Sequence, residues 1–575
     1  MSDRSISALR TLRPELDAHL FWFRDDLHQP YPISPMGMTT IQKHHPWGYH
    51  VAAEQTQLPP SKGAYVKIHK QRVYLGFAQI DDPAEIGKRA EKFGALIESL
   101  KDNWDSYYGK YIDEITANIK ALNIDKADTL SNADLVTFLQ QAEAMNRRAW
   151  EIHFILMYPA DGLYLGFEGW CKEHGLEEKD FVDLLKGFEG MPAKTDEALW
   201  RLAKLAASSG LRETFEQTPE AQLLRKLEGS DAGKTWVKEF RAFLQVFGNR
   251  ISAAHLDVLF PTWKEDPTPV LSTVKSYFRR MDEGWDLEKA RADVAARRDA
   301  AITAFETRLQ QDKGFDATQM KEFRRFLKAA QKIYAYQEDH GFYIDQGCTA
   351  ALHDALMVCG RRLEKVGLVE QADDVFYLTY YELLEILQDL ARDEQIGTYH
   401  HQALVLPLVA ERKADREASF LEDAPLTVGA VPEVMNDPIA IKVFGIIDEV
   451  LHPKGEKEVL DHLTGFPGAP GVAEGPARVI MSFEDFPTLQ AGEILVCPYT
   501  GTAWTPLFLK ISAVVTDTGG MLTHAAIAAR EYGIAAVVGT WNATNSIRNG
   551  DIIKVDGNKG TVEVVRRSSP VVAAV

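Results

Sequence analysis

The sequence predicts a multidomain α + α/β protein, a large mostly helical region followed by a compact β-rich domain, and two observations carry that reading. Between about residues 80 and 400, apolar side chains recur every three to four positions in Ala-, Leu-, Glu-, Lys- and Arg-rich segments. That spacing lines one face of a helix. From 465 to 565 the pattern changes to short β-branched runs separated by Gly, Pro, Asn and Asp, as in strands joined by tight turns.

The elements follow in order. The first 80 residues are rich in aromatics, His and Pro and predict an irregular start, with strand-like runs at 65–68 and 73–77. Helical periodicity is clearest at 84–120, 132–156, 287–311, 318–336 and 350–366. Residues 401–464 read as a linker with a charged helix-like piece and a Pro-containing stretch at 424–438. Strands are expected at 477–480, 494–496, 513–515, 535–538, 552–555 and 561–565, the last two joined by a hairpin through Asp556, Gly557 and Asn558. The expected domains are therefore 1–400, 401–464 and 465–567, with a tail at 568–575.

Composition narrows the function classes. A net charge of −19 argues against nucleic acid or an anionic membrane surface as partner, since both attract basic proteins. No apolar run approaches bilayer length and the N-terminus lacks a signal-peptide core, so a cytoplasmic protein is expected. The 4 cysteines show no Cys-x-x-Cys spacing and read as reduced, buried thiols.

The most informative segment is Gly519-Gly520-Met521-Leu522-Thr523-His524, followed by the Ala-rich run to Arg530. It sets a histidine after a Gly-Gly turn at the start of a helix, beside the first-turn N–H groups and the positive end of the dipole. Such a place suits a group that becomes anionic, and the chemistry it suggests is a phosphohistidine. Thr523 is positioned to orient the imidazole or bond phosphoryl oxygens, and Gly519 and Gly520 let backbone approach them. Arg530 either contacts phosphate or solvates the helix.

Together with Gly465-Phe466-Pro467-Gly468, Gly492-Glu493-Ile494-Leu495 and Asn549-Gly550-Asp551, this segment resembles the swivelling phosphohistidine domain of the phosphoenolpyruvate-utilising enzymes, over roughly the last hundred residues. The resemblance implies a β/β/α domain that carries a phosphoryl group between two sites, with His524 as the phosphorylated residue. Leu522 stands where pyruvate-phosphate dikinases have a regulatory threonine, and Ala535 replaces a common proline. The Leu522-Thr523-His524 and Arg530-Glu531-Tyr532-Gly533 wording is closer to rifampin phosphotransferase and phenylphosphate synthase.

Within this sequence the last predicted strand ends at 565 of 575 residues, which leaves no place for a pyruvate-binding barrel after it. The helical region before the swivelling domain does not read as an ATP-grasp domain, and there is no Walker A motif. The expectation is a phosphotransferase subunit of dikinase type. A separate ATP-grasp subunit would bind ATP with Mg²⁺ or Mn²⁺ and release AMP and phosphate, and a small phenolic compound would be the acceptor. A rifamycin-like alcohol and a non-catalytic carrier module are the alternatives.

Phe247-Gly248-Asn249-Arg250-Ile251 with Phe260-Pro261-Thr262-Trp263, and Asp373-Asp374-Val375-Phe376 with Glu382, resemble the substrate domain of rifampin phosphotransferase, as does the stretch from Phe21 to Pro35. Arg250 is the candidate cation for the phosphoryl group, or a structural arginine at a helix end. His255 and Asp257 follow it; on a helix, an i,i+2 pair would point in different directions, and a core or surface role is the favoured reading over catalysis for each. His28 and His340 are candidate bases. The cluster Lys43-His44-His45-Pro46-Trp47-Gly48-Tyr49-His50 has three readings: metal site, aromatic pocket rim with Trp47, or packed loop. Trp22, Tyr31 and Tyr343 suit a flat acceptor or the core.

Overall fold

A computed structural model of the chain describes residues 19–568 except 177–180, 189, 252–256, 423, 436–437, 453–458 and 482. The chain divides into two compact units, one of residues 1–173, 254–260 and 315–431, the other of 174–253, 261–314 and 432–575.

The first unit is built on long helices, Pro83–Ala121, Asn132–Glu173, Ala317–His340, Gly347–Lys365, Tyr380–Arg392 and Glu394–Ser419. The helix signals are where the periodicity put them, and caps set the ends. Asp316 and Gln319 form a capping box, as do Thr379 and Glu382. The stretch read as a linker begins inside Glu394–Ser419, whose Arg412 pairs with both oxygens of Glu382 at 2.7 and 2.8 Å. Burial works to raise Glu382, but Arg412 and the Thr379 bonds hold it below the usual carboxylate range.

The N-terminal region is more regular than its composition suggests. Strands β1 (Phe21–Arg24), β2 (Ser61–His69), β3 (Arg72–Gln79) and β4 (Thr427–Gly429) form an antiparallel sheet of order β2-β3-β1-β4. The histidine-rich cluster lies in a helix, Ile41–Thr56, with Pro46 inside it. Its helical pattern is obscured in sequence because part of the buried face is His and Gly. A Cβ at Gly48 would fall 2.3 Å from the Trp150 carbonyl oxygen, so only glycine allows this approach to Asn132–Glu173. Trp22 is core, packed over Gly76.

In the second unit, helices Met191–Ser208, Asp231–Phe247, Thr268–Asp282 and Leu287–Gln311 accompany the C-terminal domain. That domain has β5 (His462–Thr464), β6 (Phe466–Ala469), β7 (Val472–Val479), β8 (Ile494–Cys497), β9 (Ala513–Thr516), β10 (Ala535–Val538), β11 (Ile552–Asp556) and β12 (Thr561–Arg566). Their order is β5-β12-β11-β7-β8-β9-β10-β6. Neighbours from β7 to β10 are parallel, and the flanking pairs are antiparallel. Every residue of β8, β9 and β10 is buried. Strands covered on both faces read as unbroken apolar runs, as these do. In β11 burial alternates, and Ile553 and Val555 join the core with Ile494, Val496, Val515 and Val537. All 4 cysteines are buried and free. Among the described residues, no helix is long and apolar enough to cross a membrane.

Candidate functional site

The His524 site forms in the loops that follow the carboxyl ends of the adjacent parallel strands β8 and β9. One loop brings Thr500 and the other His524. Their Oγ1 and Nδ1 atoms are 2.9 Å apart. His524 is the first residue of the helix His524–Tyr532, with Thr523 at the N-cap. The helix ends on Gly533 in the left-handed region, φ 68°. Phe508 meets the half-buried imidazole edge to face at 5.7 Å, which limits its rotation.

The supporting residues are held by contacts within the protein. The Thr523 hydroxyl donates to the Gly520 carbonyl at 2.8 Å, so its proton braces the loop. The space at the glycines is taken by the protein itself. A Cβ on Gly519 (φ 95°) would lie 2.7 Å from the Thr523 side chain, and one on Gly520 would lie 2.3 Å from the Lys442 carbonyl oxygen. Residues 442–445 clamp the loop, with Gly520 N and Leu522 N donating to the Val443 and Lys442 carbonyls at 3.1 Å each. Trp541 Nε1 donates to the Gly445 carbonyl at 3.0 Å. Arg530 is buried; its Nη2 lies 3.7 Å from Met521 Sδ, and its Nη1 has no hydrogen-bond partner.

The same helix is anchored on its far side. The Tyr532 hydroxyl donates to Asp196, whose carboxyl burial pushes up to about 6, against the pull of Tyr532, Arg291 and Arg250. Arg279 and Arg280 both donate to the Leu509 carbonyl, at 3.1 and 2.9 Å.

The remaining candidates divide by unit. In the second, Arg250 is buried, donates to Thr195 Oγ1 at 3.0 Å and lies over the Trp263 ring at 4.9 Å. The two halves of its motif meet, since Ile251 bridges Thr262 and Trp263 N donates to the Arg250 carbonyl at 3.0 Å. His255 lies outside the described residues.

In the first unit, Asp257 is fully buried and accepts from Ser34 N at 2.8 Å, Ser34 Oγ at 2.5 Å and Leu259 N at 3.3 Å. The Asp373/Asp374 motif builds a turn, with Asp374 accepting from Glu370 N and Gln371 N at 3.1 Å each. The histidine-rich helix divides its residues among separate partners. His44 bonds Asn146 at 2.8 Å and Glu143 at 2.9 Å, and the hydrogen bond from His44 is the main influence drawing Glu143 down to about 2. His45 packs on Tyr49 and Trp150, while Trp47 is 51% exposed and donates to Glu151 at 2.7 Å.

His28 and His340 come into one polar pocket that sequence spacing did not reveal. His28 bonds Asp25 at 2.8 and 3.0 Å. Burial works to lower His28, but Asp25 and Asp345 carry it above its usual value. His340 is pushed down to about 4 by burial. Its ring meets that of His153 edge to face at 5.1 Å, and Asp345 lies beside both. His153 and Asp345 went unnoticed in sequence because they are 192 positions apart with no shared motif. Thr500 and Phe508 were missed too; their only signal is that they follow a strand adjacent to the one before His524.

Residues 161–338 match the rifampicin phosphotransferase fourth domain, and 489–560 match the PEP-utilising enzyme mobile domain. The chain is 27% identical over 567 residues to the uncharacterized phosphotransferase YvkC of Bacillus subtilis, covering 96% of this chain and 63% of that protein. It is 30% identical over 562 residues to chondramide synthase of Chondromyces crocatus, 96% of this chain and 14% of that one. Against the rifampicin phosphotransferase of Bacillus subtilis it is 27% identical over 505 residues, 84% of this chain and 51% of the relative. It therefore spans less than two thirds of each of these relatives. The chain carries a PEP-utilising enzyme mobile domain over residues 489–560, and residues 161–338 form a rifampicin phosphotransferase-like domain.

Proposed function

We propose that this chain is a phosphotransferase in which His524 takes a phosphoryl group from ATP and passes it to the hydroxyl of an aromatic acceptor. The observation that carries this reading is the imidazole at a helix N-terminus with Nδ1 held by Thr500. When Nδ1–H donates to Thr500, Nε2 holds the lone pair and attacks phosphorus. The bond from the β-phosphorus to the oxygen of AMP breaks as the P–N bond forms, and water then cleaves the terminal P–O–P linkage, releasing phosphate and leaving one phosphoryl group on the imidazole. In the second step the acceptor oxygen attacks phosphorus, the P–N bond breaks, and the acceptor's proton goes to a base. The helix dipole favours the added negative charge, and buried Arg530 is a further candidate counter-charge.

ATP would be bound by an ATP-grasp subunit, which releases AMP and phosphate. Mg²⁺ or Mn²⁺ would accompany ATP there. The Thr500 and Thr523 hydroxyls and the Phe508 ring near His524 are not the carboxylate and carbonyl set such ions take. We favour a phenol as acceptor because its pKa near 10 makes proton removal easy. A rifamycin-like alcohol is the second reading, supported by the names of several relatives.

The test supplies ATP, Mg²⁺ and an ATP-grasp partner with either simple phenols or rifampin, and identifies the phosphorylated product. An aryl phosphate supports the first reading and phospho-rifampin the second. Phosphorylation of His524 with no transfer to either rejects both and favours a carrier. Thr500→Val is expected to slow His524 phosphorylation about 5- to 30-fold, the rate equivalent of one lost hydrogen bond of roughly 1–2 kcal/mol. An unchanged single-turnover rate would remove Thr500 from the mechanism.

A further inference from the structure

We propose that His153, His340 and Asp345 form a binding site for a divalent transition-metal ion of the Zn²⁺, Mn²⁺ or Fe²⁺ class in the first unit. One ligand atom from each residue lies within 4.8 Å of the other two. His153 Nδ1 is 2.8 Å from Asp345 Oδ1, and His340 Nε2 is 3.5 Å from Asp345 Oδ2. Ligands placed about 2.0–2.1 Å from one ion stand roughly 3.0–3.4 Å apart, so little movement is needed to close the site.

The close pair is not an ordinary hydrogen bond. His153 Nδ1 is buried and has no hydrogen-bond partner despite its 2.8 Å approach to the carboxylate. A cation would give this buried nitrogen a partner.

The backbone shows how the set is assembled. His153 projects from the long helix Asn132–Glu173, while His340 ends the helix Ala317–His340. The next residues, Gly341–Gln346, form a π-helical turn. Its i→i+5 bonding brings Asp345, five residues on, over His340, where a continued α-helix would carry it to another face. Such turns recur at functional sites.

The surroundings favour a cation. Asp345 acts electrostatically on both His340 and His28, and Asp25 bonds His28 at 2.8 Å, so carboxylates stand beside the imidazoles here. Two imidazoles and one carboxylate suit borderline ions better than Mg²⁺ or Ca²⁺, which prefer all-oxygen sets. Three protein ligands also leave coordination positions for water or for the oxygen of a bound hydroxyl compound, as in catalytic rather than structural sites.

The test uses the full chain, stripped with a chelator and titrated with Co²⁺ alone and Zn²⁺ alone, reading visible d–d absorption and calorimetric stoichiometry. One ion per chain is expected, with a Co²⁺ spectrum of a nitrogen–oxygen site. His153→Ala and Asp345→Asn should each weaken binding by at least about 100-fold. His400→Ala, at the adjacent surface pair His400/His401, should leave it unchanged. If His153→Ala fails to fold, His340→Gln takes its place. A wild-type chain with no Co²⁺ band, or folded variants that bind as the wild type does, would overturn the site. The readout needs no turnover, so its failure leaves the His524 chemistry standing.

Discussion

Replacing His524 with alanine is expected to abolish acid-labile phosphate on the chain, a loss of at least about 10³-fold in phosphorylation and in transfer. The magnitude follows from the role proposed: a covalent intermediate has no substitute when its nucleophile is gone. The fold should barely notice. His524 is half-buried in a first helical turn, and the clamp of residues 442–445 on Gly520 and Leu522 is made by backbone atoms. A change in stability below about 1 kcal/mol is therefore expected. Intact-mass analysis at neutral and acid pH, with thermal unfolding of the same samples, checks both halves. Equal phosphate on the alanine variant would remove His524 from the reaction.

Asp257→Ala should give the largest loss of stability among the candidate residues, about 3 kcal/mol or more. Its carboxylate is fully buried and receives both the N–H and the O–H of Ser34. Burial raises its pKa, and the Ser34 bonds work against that. Deleting it strands two buried donors at the start of the helix Pro35–Thr39, where Ser34 is the N-cap and accepts from Gly37 N at 2.9 Å. Ser34→Ala should cost about 1 kcal/mol for the cap, with a further cost for the lost partner of Asp257. The double variant should cost less than the sum, because the two residues share one interaction. Urea unfolding measures this directly. Additive losses, or an unchanged midpoint for Asp257→Ala, would mean that the contact contributes nothing.

These two residues show where sequence reading succeeds and where it stops. His524 was legible because its signals are local: a Gly-Gly turn and an Ala-rich helix lie within a dozen positions of it. Asp257 was read with nearby Arg250 and His255 as a candidate of the site, yet its partner is Ser34, 223 positions away, and Arg250 and Asp257 fall in different units. The same limit hid Thr500. Sequence adjacency cannot say which strand lies beside which, and only the parallel pairing of β8 and β9 brings its hydroxyl to the imidazole.

The histidine-rich helix makes the converse point. Three readings were open for Lys43 to His50, and the structure places them on a helix where Lys43 and His44 share Glu143 and Trp47 bonds Glu151. Meanwhile His340, read alone as a base, gains His153 and Asp345 through a π turn and a neighbouring helix.

By itself, then, the sequence determined the helical and β-rich regions, the buried strands of the mobile domain and the histidine at a helix start. Each of these depends on periodicity or on residues a few positions apart. Tertiary structure alone decided which side chains meet: Thr500 with His524, Ser34 with Asp257, and His153 with His340 and Asp345. Those contacts depend on how distant elements pack, and packing depends on the shape and burial of the whole chain.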